Sequence, residues 1–332
     1  MYLASAIMHF FSHKNIRREN EIGVPRTILE FQNQYPKSNM TEVEIICKKL
    51  INLGYMTDWT SALTPPSHVF SKSYLASLKE PFFSYGMYDF LIHGLLVVRN
   101  HFENSVKAVV VTKSDDDLDI GTSFLAELGG KKFILTALHC IEKMKNVCIK
   151  DENGKPIKAK NIFISTDEMR DIAIIEYEGS ILENIPHLQF GQAQILDEVL
   201  MMGYPPLNGF DSLLISEKAT INTILKSSSG NVVGKGESYL DKQDYILINA
   251  KVKGGNSGGP IIGTSGNIAG MLVQIPTDSK NPNQLDKLGY GVGIPSMVIA
   301  ELVADALLRN NTGTSKKLKF KNSEKGFSTF FS

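Results

Sequence analysis

GGNSGGP, Gly254–Pro260, is the stretch on which the reading of this chain turns. A serine hydroxyl is a useful nucleophile only when a base takes its proton and backbone N–H groups collect the charge that develops on the substrate carbonyl oxygen. Glycines on both sides of Ser257 let the backbone approach that oxygen closely. Gly255 and Ser257 are the natural donors, because their amides flank the turn at Asn256. Taken alone, the string also describes a glycine-rich turn that ends a strand.

Two further strings supply what such a serine needs. FILTALHC, Phe133–Cys140, is an apolar strand that ends by presenting His139. Of the seven histidines it alone follows such a strand in the β-rich half, although a buried structural histidine is the commoner occupant of that kind of position. RDIAIIEY, Arg170–Tyr177, places Asp171 at the start of another apolar strand, where a carboxylate can accept from the imidazole and fix its tautomer. Asp167 competes for that role, but no apolar strand follows it directly.

The order His, Asp, Ser with TALHC, DIAII and GNSGGP resembles the trypsin/chymotrypsin-like serine protease family. The resemblance extends to GTSFLAE (Gly121–Glu127) and MMGYPP (Met201–Pro206), and covers roughly residues 100 to 310. Asn256 before the serine, the run INAKVKGGNSGGP, and GYGVGIPS (Gly289–Ser296) resemble the bacterial HtrA branch more than the digestive enzymes. The resemblance implies two six-stranded β-barrels with His139, Asp171 and Ser257 at their junction. It also implies a substrate pocket lined by Lys251, Val252, Lys253 and Gly254 and by Met271, Leu272, Val273 and Gln274. Neither segment holds an acidic residue, so a medium apolar residue is the expected preference; Lys251 or Lys253 turned to the substrate would instead favour an acidic side chain, although such lysines more often face solvent. No metal or organic cofactor is implied.

Departures from the family carry expectations of their own. Secreted relatives use Asp before the serine to pair with a newly cut N-terminus, and Asn256 cannot make that ion pair. Cys140 stands where many relatives have a disulfide cysteine, with Ser123 and Phe124 where its partner would be; a buried free thiol is expected. HtrA proteins continue into a PDZ domain, whereas only a short segment follows Arg309 here, so a peptide-sensing role would fall to the N-terminal half.

That half has a different period. Apolar residues recur at helical spacing, as in Val43, Ile46, Cys47, Leu50 and Ile51, with a helix start at Asn39 or Thr41 and a stop at Gly54. A Thr64–Ser67 turn and the alternating run His68–Ser71 suggest the hairpin of a winged helix. Glu42 and Glu44 offset Lys48 and Lys49 on the helix that would read DNA, so DNA contact is not favoured and a regulatory protein partner for residues 1–85 is preferred. The resulting division is a mainly α, winged-helix-like domain at 1–85, a connecting helix at 86–100, and a double-barrel protease domain at 101–310 closed by a helix from Pro295 to Arg309. A flexible basic tail is expected at 311–332.

Bulk composition fits this division. Lys+Arg and Asp+Glu both number 35, which excludes the global positive field of an electrostatic nucleic-acid binder. Three cysteines are too few for a secreted disulfide framework and suggest a reducing, cytoplasmic setting. Met1–Phe11 is apolar but has no basic start and is too short to span a bilayer; it reads as an amphipathic first helix, and no membrane association is expected. The function expected is a serine endopeptidase acting on protein or peptide, gated or targeted by the N-terminal half. The alternatives are a pseudoprotease that binds peptides, or a winged-helix DNA-binding regulator with an attached protease.

Overall fold

The computed structural model describes residues 3–12, 25–60, 72–180, 182–206, 224–238, 242–273, 290–308 and 312–330. The chain divides into two compact units, Met1–Val97 and Val98–Ser332.

In the first unit the order is α1 (Leu3–Phe10), β1 (Arg26–Thr27), α2 (Ile28–Gln34), α3 (Met40–Asn52), β2 (Met56–Asp58) and β3 (Ser73–Ala76), then α4 (Glu80–Tyr85) and α5 (Met87–His93). The strands form one antiparallel sheet with β3 in the middle. Local sequence sets the helix ends. Thr27 and Glu30 form a reciprocal capping box at α2, and the Asn39 side chain accepts from the amides of Thr41 and Glu42 at α3. Gly54, at φ +77°, follows the end of α3 in a conformation that favours glycine.

The expected first helix is present as α1 and is largely buried, with Ala4, Ser5, Ala6, Ile7, Met8 and Phe10 all in the interior. Its first turn is held by the buried carboxylate of Asp89, which accepts from the amides of Ala4 at 3.0 Å and Ser5 at 3.3 Å and from the Ser5 hydroxyl. Negative charge at a helix N-terminus meets the unpaired N–H groups there. Phe10, Phe11, Phe31 and Tyr74 stack edge and face in the core. The expected helix at 86–100 is two: Gly94, with φ 76° and ψ −164°, ends α5, and α6 (Leu95–Phe102) crosses the boundary between the units. The expected hairpin at His68–Ser71 lies outside the described residues.

The second unit is built on two sheets. The strands β11 (Glu198–Gly203), β12 (Lys226–Glu237), β13 (Asp244–Ile248), β14 (Pro260–Gly263), β15 (Ile268–Leu272) and β16 (Gly291–Pro295) close into a six-stranded barrel in the order β11-β12-β13-β16-β15-β14. Val199, Met201, Val232, Ile246, Ile248, Ile261 and Leu272 fill it. The other sheet contains β4 (Val106–Thr112), β5 (Leu118–Leu128), β6 (Lys131–Thr136), β7 (Asn146–Ile149), β8 (Ala159–Ser165) and β9 (Ala173–Tyr177), with β10 (Leu188–Gln189) on β5. Helix α7 (Ser296–Leu307) follows the barrel. Among the described residues no helix is long and apolar enough to cross a membrane.

The segment expected to be a flexible tail is folded. β17 (Ser315–Lys317) pairs with β8, and the hairpin β18 (Lys319–Ser323) to β19 (Gly326–Phe330) joins the sheet through β7, making it ten-stranded rather than six. The lysines that suggested a solvated end, Lys316, Lys317, Lys319 and Lys321, are exposed, while Leu318, Phe327 and Thr329 are buried. Charge count concealed a strand pattern, and lysines on an edge strand also guard its unpaired backbone. Asp305 of α7 anchors the segment. Its carboxylate accepts from the amides of Thr312, Gly313 and Ser315 and from the hydroxyls of Thr312 and Ser315, which holds it well below the usual carboxylate range.

Candidate active site

Antiparallel pairing brings two of the expected residues together. In the β6–β9 ladder Thr136 lies opposite Ala173, so the chain leaving β6 and the chain entering β9 meet at one end of the sheet. His139 sits three residues past Thr136, in a short 3₁₀ turn at Leu138–Cys140, and Asp171 two residues before Ala173. The Asp171 carboxylate grips the histidine twice: one oxygen is 2.6 Å from His139 Nδ1 and the other accepts from the His139 amide at 2.8 Å. Asp167 is turned elsewhere, paired with Arg170 at 3.5 Å and accepting from the Met169 amide. Burial disfavours the charged ring of His139, but the hydrogen bond to Asp171, with the contact to Cys140, outweighs it and raises the imidazolium above its ordinary value.

His139 and Asp171 are partly accessible, with 38% and 20% of their side chains exposed, so the pair faces a surface that a substrate can reach. His187 makes the contrast. It is buried, bonds Ile185 O and the Tyr177 hydroxyl, and burial pushes it down to about 4, as expected of a structural histidine.

The turn that carries Ser257 is held by the other sheet. Thr122, fully buried in β5, donates its amide to Ser257 O at 2.9 Å and its hydroxyl to Gly255 O at 2.7 Å, and its own carbonyl accepts from the Thr136 hydroxyl at 2.7 Å. Tyr204, just past β11, donates its amide to Thr122 Oγ1 at 3.0 Å. One threonine therefore connects the strand leading to His139, the entry of the second barrel and the Ser257 turn. Inside the turn, Asn256 N donates to Lys253 O, Gly258 N to Leu272 O and Gly259 N to Asn256 O. Among the described residues the amides of Gly255 and Ser257 donate to no protein group, as donors kept for an oxyanion would. Gly255 has φ +88°, and a Cβ there would lie 2.7 Å from Tyr204 O; at Gly258, φ +82°, it would lie 2.2 Å from Thr122 O. Both positions require glycine.

Ser257 Oγ makes no hydrogen bond to His139 among the described residues. The atom against His139 Nε2 is Cys140 Sγ at 3.6 Å, which also lies 3.5 Å from Ser257 O. Cys140 is a buried free thiol, and the residue packed on it is Gly121, where a Cβ would come within 2.6 Å of the sulfur, rather than Ser123 or Phe124. Sequence reasoning missed the roles of Thr122 and of this sulfur. Both stand inside quoted motifs, but neither residue type announces a contact made across two sheets.

The residues expected to line a substrate pocket separate. Lys251 and Lys253 face a cavity beside the turn, whereas Met271 and Leu272 are 0% and 1% exposed and Leu272 packs in the barrel core. Val252 packs against the same core, Gly254 is exposed in the turn, Val273 is buried, and Gln274 lies outside the described residues. Alternation along β15 turns Leu272 into the barrel core. No group of residues suited to holding a metal ion occurs among the described residues.

Part of the chain is similar to known proteins. Residues 121–271 match the family model of the trypsin-like peptidase domain. A probable periplasmic serine endoprotease, DegP-like, of Chlamydia trachomatis is 28% identical over 195 residues, 56% of this chain and 34% of its own length. The serine endoprotease DegS of Haemophilus influenzae is 30% identical over 165 residues, 49% of this chain and 43% of its own. A solved HtrA-type protease, AlgW with tripeptide, has a TM-score of 0.47 at 19% identity, over 68% of this chain and 67% of that one. The chain thus spans less than half the length of these two curated relatives. Residues 121–271 are thus similar to trypsin-like peptidase domains, and serine proteases of HtrA type are among the proteins they resemble.

Proposed function

We propose that the chain is a serine endopeptidase in which Ser257 is the nucleophile, His139 the general base and Asp171 the residue that orients the base. His139 Nε2 takes the Ser257 hydroxyl proton as Oγ attacks the peptide carbonyl, and the Gly255 and Ser257 amides hold the oxyanion. The imidazolium returns its proton to the departing amine, and water, activated by the same ring, releases the acyl-enzyme. The observation that carries this reading is the pair of hydrogen bonds that the Asp171 carboxylate accepts from the amide and the Nδ1 of His139, beside a turn whose two flanking amides are unengaged among the described residues. The missing Ser257–His139 bond fits an unliganded site, since catalytic hydrogen bonds often tighten only with substrate bound. Turnover of an unfolded protein substrate by the full chain, lost in Ser257→Ala and His139→Ala, is the expected result. Undiminished cleavage by Ser257→Ala would end the assignment.

A second reading, a peptide-binding pseudoprotease, draws support from the same missing bond. It predicts peptide binding without turnover by the wild-type chain.

For the first unit, the order of helices and strands with β3 at the sheet centre supports a winged-helix reading. Its surface favours a protein partner over DNA. Glu44 pairs with Lys48 at 3.0 Å and with Lys72, and Lys49 donates to Ile92 O, while Leu29, Ile45 and Trp59 are each about half exposed. We assign it the recruitment or gating of the protease. A salt-dependent shift of duplex DNA by the full chain would overturn the choice of partner. A reducing compartment remains the proposed location, on three unpaired cysteines, although the DegP-like relatives are named periplasmic.

A further inference from the structure

Beside the nucleophile turn the second barrel opens a cavity of about 290 Å³, lined by Met201, Pro205, Lys226, Ser227, Ser228, Lys251, Lys253 and Asn256. Three of these eight side chains are cationic and none is acidic. The chain as a whole carries 35 basic and 35 acidic residues, so the cavity concentrates charge that is balanced elsewhere. Lys226 donates to Pro205 O at 3.2 Å. Lys251 is fixed at its backbone, where its amide donates to Ser228 Oγ at 3.2 Å, and neither Lys251 nor Lys253 has a carboxylate within ion-pair reach among the described residues. The serine hydroxyls and Asn256, itself only 7% exposed, add neutral hydrogen-bonding groups.

Position narrows the occupant. The lining contains neither His139 nor Ser257, so a group bound here leaves the reacting atoms clear. It does contain Asn256, between the two amides assigned to the oxyanion, and Pro205, against which the Gly255 backbone packs closely enough that a Cβ would meet Pro205 Cα at 3.0 Å. Clustered ammonium groups repel one another, and an anion between them relieves that repulsion while gaining attraction to each. Hydroxyls and an amide add the donors that suit a carboxylate.

We propose that this cavity receives a carboxylate side chain of the peptide being cleaved, so that the protease prefers substrates with Asp or Glu at one position beside the scissile bond. The assignment rests on the serine endopeptidase reading above. It takes up the alternative of an acidic preference through Lys251 and Lys253 in place of the expected medium apolar one, because the lysines framing the turn face a cavity.

The test uses the full chain and a peptide series in which each position, from four residues before the scissile bond to four after it, carries Glu or Gln in turn. At one position Glu should raise kcat/KM about tenfold over Gln, an advantage that shrinks as salt is raised. Lys253→Glu should abolish or invert that preference, favouring Lys there. Equal rates for Glu and Gln at every position, from an enzyme that labels at Ser257 with a fluorophosphonate, would overturn the proposal and leave the protease reading intact. Absence of labelling would instead remove the reading on which it rests. Stimulation of a neutral substrate by a separate, uncleavable acidic peptide, without any preference within the series, would overturn the assignment to substrate and make the cavity an effector site.

Discussion

Cys140 Sγ lies 3.6 Å from His139 Nε2, while Asp171 holds the opposite ring nitrogen at 2.6 Å. The nitrogen that would accept the serine proton in the proposed mechanism thus has a thiol as its neighbour, where the sequence had offered this cysteine only as a buried free thiol. Removing the sulfur removes a contact that favours the charged ring. Cys140→Ala is expected to fold, to lower the apparent pKa on the acid side of the kcat/KM profile, and to react faster with a fluorophosphonate at neutral pH. An unchanged profile would show that the sulfur is a spectator.

The Asp171 contact makes a stronger prediction. Cleavage requires the neutral imidazole, and the carboxylate favours the charged one, so activity should rise with pH through a pKa above the ordinary histidine value of about 6.5. Asp171→Asn should bring that pKa down and reduce kcat by roughly 10³- to 10⁴-fold, because the amide favours the wrong tautomer. A pH–rate profile of both proteins checks sign and size.

Thr122→Val tests the link between the sheets. The change keeps the shape of the side chain but removes the hydroxyl that bonds Gly255 O and accepts from Tyr204 N. Leaving a buried amide unpaired costs about 1–3 kcal/mol. The expected outcome is a native circular dichroism spectrum, a lowered Tm and a loss in kcat larger than any change in KM, since the amides next to Gly255 O would no longer be held for the oxyanion.

The C-terminal strand braces the loop that follows His139. Thr329 donates its hydroxyl to Ile141 O and accepts from Met144 N at 3.3 Å, and the Ser328 hydroxyl donates to Lys145 O at 2.8 Å. Thr329→Val should therefore lower both Tm and kcat, and hydrogen exchange at residues 141–146 should quicken. A flexible tail would make the same substitution silent.

Acid should weaken the fold through His187. Burial holds its native pKa near 4, against about 6.5 in the unfolded chain, so between these values the unfolded state binds the extra proton. Stability from this residue is complete above pH 6.5 and is lost as pH falls towards 4. His187→Gln, measured by denaturant melts at pH 7 and pH 5, should show a smaller drop between the two pH values than the parent.

The sequence made the Ser257 turn and the strands around it legible because they depend on backbone conformation. Gly255 and Gly258 mark a turn that only glycine adopts, and short apolar strands ending at His139 and beginning at Asp171 must meet when β6 pairs with β9. What stayed hidden depends on distance along the chain. Asp305 and Thr329 acquire meaning only when the end of the chain returns to β8 and β7, and Lys316 to Lys321 read as solvated charge because strand alternation over so few residues is weak. Lys251 and Lys253 were legible as candidates, but the contribution of Lys226 was hidden for the same reason, since it joins them only after β12 and β13 pair and Ser228 accepts from the Lys251 amide.

The most direct measurement is to treat the full chain with a fluorophosphonate at pH 8 and locate the adduct by mass spectrometry of its peptides. A single adduct on Ser257, absent from His139→Ala and from heat-unfolded protein, is the predicted result. A folded wild-type chain that takes up no label, or takes it up on another residue, would contradict the account of an assembled nucleophile, base and oxyanion hole.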